Sequence, residues 1–92
     1  MVSLDEELRA AKAAKAAIGT LSVSAPSSKI TPTLRNAYRL AILNLSSGGP
    51  TNDVRQTVGI ALANLIHGPA TPETIDRAKL EIEDWIKVLE AP

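Results

Sequence analysis

The chain has 92 residues, 45% hydrophobic and 22% charged, with ten Lys and Arg against ten Asp and Glu. That length suits one domain, the composition is globular rather than disordered, and the balanced charge argues against general affinity for nucleic acid or anionic membrane. No cysteine is present, which excludes disulfides and thiolate metal sites and leaves stability to packing.

The longest apolar run falls far short of the roughly 20 residues of a membrane span. Acids at Asp5, Glu6 and Glu7 stand where a secretory leader would be positive, so the chain reads as intracellular and cytoplasmic. Charge is unevenly distributed along the chain. Up to Ser46 there are six bases and three acids, and beyond it four bases and seven acids, so the halves can attract each other within one bundle or across two chains.

A first helix is expected near residues 4 to 20. Ser3-Leu4-Asp5-Glu6 has the capping-box arrangement and places acids at the positive end of the helix dipole. Leu4, Leu8, Ala11, Ala14 and Ile18 follow at helical spacing, with Glu7 and Lys15 intruding on the stripe. The alanines at 10, 11, 13, 14, 16 and 17 favour helix and allow a neighbour to approach closely. Gly19 is the expected C-cap, and Leu21 to Lys29, rich in serine and containing Pro26, reads as a mobile connection.

Thr31-Pro32 opens a second helix, expected to run from 32 to 46, with a capping hydroxyl followed by proline at the first helical position. Leu34, Ala37, Tyr38, Ala41, Ile42 and Leu45 share one face, while Leu40 and Leu43 project elsewhere. Either this helix is central and both stripes are internal, or it shows leucines to a partner. Ser46-Ser47-Gly48-Gly49-Pro50 ends it.

The third helix, expected over 52 to 67, has capping oxygens at Thr51, Asn52 and Asp53 and a stripe of Val54, Val58, Ala61, Leu62, Leu65 and Ile66. Gly59 inside it is unfavourable by about 1 kcal/mol relative to alanine and implies a close approach at that point. His67-Gly68-Pro69 closes it, and Thr71-Pro72 starts a fourth helix, expected over 72 to 90. Its stripe is Ile75, Ala78, Ile82, Trp85, Ile86 and Leu89. Together these signals define an all-α chain, a compact antiparallel four-helix bundle forming one domain over 1 to 92.

Little in the chain points to catalysis. One histidine and no cysteine cannot build the usual transition-metal sites, and neither Asp5, Glu6 and Glu7 nor Glu81, Glu83 and Asp84 match a calcium-loop spacing. His67 reads as a helix-closing residue without a nucleophile or orienting partner. Ser47-Gly48-Gly49-Pro50 lacks the lysine of a phosphate loop. No metal, cofactor or catalytic residue is therefore expected, and Trp85 and Tyr38, the only aromatics, are expected in the core.

Two functional readings remain. In the first, the chain is a non-catalytic interaction or accessory module whose partner is another protein or a second copy of itself. Its candidate interface is Arg35, Arg39, Leu40 and Leu43, an apolar centre with a basic rim. The alternative is a DNA-binding helix-turn-helix with 52 to 67 as recognition helix and Arg55, Gln56 and Thr57 reaching bases. Neutral charge and the acidic C-terminal half weigh against it.

Overall fold

A computed structural model describes residues 3–20, 31–45, 50–68 and 70–91. Among these residues there are four helices and no strand: α1 (Leu4–Gly19), α2 (Thr31–Leu43), α3 (Pro50–His67) and α4 (Pro72–Glu90). The serine-rich connection and the Ser46 to Gly49 turn lie outside the described residues.

Local chemistry explains the helix ends. The Ser3 hydroxyl accepts the Glu6 N–H at 3.2 Å, satisfying a donor that has no partner within the helix. At α4 the box is reciprocal: Thr71 Oγ1 accepts the Thr74 N–H and Thr74 Oγ1 accepts the Thr71 N–H. Gly19 is the last helical residue rather than the cap; Thr20 follows it, with both its N–H and its hydroxyl donating to the Ala17 carbonyl. α2 stops at Leu43, three residues short of expectation, where the amide of Asn44 bonds back to Leu40 and that of Leu45 to Ile42. α3 starts two residues early, so Thr51, Asn52 and Asp53 form its first turn instead of preceding it. Its far end needs glycine: a Cβ on Gly68 would stand 2.8 Å from the Asn64 carbonyl oxygen.

Consecutive helices pack on one another, and α1 closes the ring against α4. Side-chain bonds from Glu7 reach Asn44, Arg55 and Trp85, which puts the start of α1, the end of α2, the start of α3 and the C-terminal part of α4 at one end of the bundle. Successive helices therefore run antiparallel. Each contributes one stripe to the core: Ala10, Ala11, Ala14 and Ile18; Leu34, Ala37, Leu40 and Ala41; Val58, Ala61, Leu62 and Leu65; Ile75, Ala78, Ile82 and Trp85. Alanine supplies nearly half of these positions, which allows close helix approach, and Trp85 fills the largest single volume.

The α3 and α4 stripes lie where their periodicity puts them, but those of α1 and α2 are rotated. Leu4 is exposed and Leu8 half-buried, while the core angle on α1 belongs to Glu7 and Ala10. On α2 the axis of burial passes through Leu34, Ala37, Ala41 and Asn44, so Leu40 turns inward and Ile42 outward. Hydrophobicity alone does not decide between faces when a helix carries apolar residues on several sides. Here a buried polar cluster selects the face. Among the described residues no helix is long and apolar enough to cross a membrane.

Candidate interaction face and a buried polar cluster

The innermost polar group is Glu7, with no solvent exposure. Its Oε1 accepts from Asn44 Nδ2 and Arg55 Nη2, each at 2.8 Å. Oε2 accepts from Arg55 Nε at 2.8 Å and from the Trp85 indole N–H at 2.7 Å. Arg55 Nη1 also donates to the Asn44 carbonyl at 3.0 Å, satisfying an acceptor just past the end of α2. The carboxylate thus receives four donors drawn from the other three helical segments, in a bidentate pairing with the guanidinium. Among the described residues no buried side-chain polar atom lacks a partner.

Burial pushes the Glu7 carboxyl upward, because it penalises the charged form. Hydrogen bonds from Arg55, Asn44 and Trp85, together with the Arg55 charge, outweigh that penalty and hold it below its ordinary value of 4.5. Every bond to the carboxylate is donated by a neighbour, so protonating Glu7 would give up at least one of these bonds and remove the charge that Arg55 faces. The cluster is a closed electrostatic unit whose effect is register: it ties four helices at one end of the bundle.

This cluster relocates one expected contact. Arg55, read as a base-contacting residue, is 7% exposed and faces inward to Glu7. Its neighbours Gln56 and Thr57 are exposed, with the Thr57 hydroxyl donating to the Asp53 carbonyl of its own helix. The structure therefore does not bring the three together as an outward set.

Of the expected interface residues, Leu40 is 4% exposed and belongs to the core, whereas Arg35, Arg39 and Leu43 lie outside. Leu40 faces inward because it shares the inner side of α2 with Ala37, Ala41 and Asn44. In its place stands Ile42, 41% exposed on the α3 side of the same outer surface, with Leu43 at 52% towards α1. Arg35 and Arg39 lie between these flanks, and Arg39 Nη2 donates to Asn36 Oδ1 at 3.1 Å.

Between α2 and α3 runs an apolar groove of about 300 Å³. Tyr38, Ile42 and Leu45 form one wall and Ile60, 65% exposed, the other; Gly59 and Ala63 lie along it. Gly59 leaves it open. A Cβ there would meet Ile42 Cδ1 at 3.3 Å and Tyr38 Cε1 at 3.9 Å, so the close approach implied by this glycine is made by α2 side chains. Neither Ile42 nor Ile60 is in the expected interface: Ile42 stands on the expected apolar stripe of α2 and turns outward, and Ile60 is legible only as an apolar residue away from the α3 stripe.

Among the described residues no three His, Asp or Glu side chains gather where they could hold a metal ion. Comparison with protein-family models, curated proteins and solved structures finds no match to this chain.

Proposed function

We propose that this chain is a non-catalytic helical interaction module that presents the outer face of α2, with the adjoining α2–α3 groove, to a protein partner. The observation that carries this reading is the exposure of Ile42 and Ile60 on the two walls of an open groove, with Leu43 and two arginines farther round the outer face of α2. A folded monomer does not need aliphatic side chains there, and an apolar centre with a charged rim is the usual anatomy of a protein interface. The inward commitment of Arg55 further supports protein rather than nucleic acid as the partner class, since it removes a central cation from the outer surface of α3.

Affinity capture from the native host, run in parallel with wild type and an Ile42→Gln/Ile60→Gln variant, tests the reading. A protein retained by the wild type and lost by the folded variant is the expected result. Equal recovery of every bound protein by both baits overturns it.

A further inference from the structure

The outer face of α4 is the chemical complement of the α2 face. Leu80 is 58% exposed, an isolated leucine on the solvent side of an otherwise polar surface. Helical spacing places Asp76 one turn before it and Glu83 and Asp84 one turn after, all exposed. Arg77 lies on the same side but is paired with Glu81 at 3.3 Å, and Lys87 stands two turns from Leu80. The result is an apolar knob among acids. Across the bundle, α2 contains no acidic residue and carries Arg35 and Arg39 on its outer face, between the apolar α2–α3 groove that Gly59 keeps open and the α1–α2 groove, which Arg39 lines.

We infer that a second copy of this chain occupies the α2–α3 groove, inserting Leu80 of its α4 between Ile42 and Ile60 and placing Asp76, Glu83 and Asp84 against Arg35 and Arg39. This rests on the interaction-module reading and names its partner. The charge match is specific in direction: α2 against α2 would oppose like charges, as would α4 against α4. Because consecutive helices form a ring in which α2 and α4 are diagonal, the two complementary faces lie on opposite sides of the molecule. A contact between unlike faces on opposite sides does not close as a two-fold pair. It is heterologous and adds copies head to tail, into an open chain or, where the rotation closes, a ring of three or more.

Sedimentation of the purified chain across two decades of concentration tests this directly. The expected wild-type behaviour is an average mass that climbs without a plateau at dimer and falls as salt screens the rim charges. Arg35→Glu/Arg39→Glu and Asp76→Lys/Asp84→Lys each abolish that climb, while an equal mixture of the two variants restores it, since each then offers the other a complementary face. Leu80→Gln, which leaves every charge in place, weakens association about tenfold or more. Far-ultraviolet circular dichroism and Trp85 emission check that each variant is folded. A wild type that stays monomeric throughout overturns the inference, as does a discrete dimer indifferent to the α4 substitutions or a mixture that fails to associate. A monomeric chain that still retains a host protein lost by Ile42→Gln/Ile60→Gln removes the second copy as occupant and leaves the module reading standing.

Discussion

Glu7→Gln is the sharpest perturbation this bundle allows, because it changes charge and bonding at nearly constant shape. The carboxylate accepts two hydrogen bonds on each oxygen. An amide keeps one acceptor oxygen; its NH2 group then faces either Asn44 Nδ2 and Arg55 Nη2 or Arg55 Nε and Trp85 Nε1, in both cases donor against donor. Two bonds are lost and the Arg55 guanidinium, almost wholly buried, is left without its counter-charge. Breaking a buried ion pair from one side destabilises by about 3 to 5 kcal/mol. A domain of this size has roughly 5 to 14 kcal/mol in total, so the variant should lose between about a fifth of its stability and all of it. Urea titration followed by Trp85 fluorescence measures the change, since the sole tryptophan is itself in the cluster. Glu7→Leu/Arg55→Met should recover part of the loss but not all, because Trp85 Nε1 and Asn44 Nδ2 would still lack their acceptor at about 1 to 3 kcal/mol each. A loss below about 1 kcal/mol for Glu7→Gln would refute the account of the cluster as a tightly coupled unit.

The same geometry sets the acid limb of stability. Glu7 is held below its ordinary value of 4.5 in the folded chain, so its contribution is present above that value and is lost as pH falls through the lower folded pKa. Wild-type stability should therefore drop with acidification below about pH 4.5, and urea midpoints measured against pH should show that part of the slope missing in Glu7→Gln. Trp85→Ala should destabilise by about 3 to 5 kcal/mol through cavity formation, and Trp85→Phe by less, chiefly by removing a donor from Glu7; thermal melts rank the two. Gly59 within α3 and Gly68 just past its end should respond oppositely to alanine. Gly59→Ala needs only a small shift of the half-exposed Ile42 tip and gains helix propensity, stabilising by up to about 1 kcal/mol, whereas at Gly68 the added carbon meets backbone oxygen and chemical denaturation should show a loss.

The sequence by itself determined the elements: four helices, the Ser3 and Thr71 caps, the α3 and α4 stripes and the burial of Trp85 all follow from interactions within a few residues. The face of α1 and α2 turned inward was decided elsewhere. Glu7, already visible as a charge intruding on an apolar stripe, is an error of pattern until Asn44, Arg55 and Trp85 arrive from 37, 48 and 78 residues away. Periodicity reports the angle of a residue around its own helix and carries no information on such partners. Arg55 shows the same limit, since an arginine one turn before the buried Val58 reads as solvent-facing until a carboxylate is placed opposite it. Once the cluster fixes rotation, Leu40 goes in and Ile42 comes out, and the candidate interface moves with them. Tertiary structure decided that exchange because a buried charge must find its counter-charge, a stronger constraint than the choice between one aliphatic face and another.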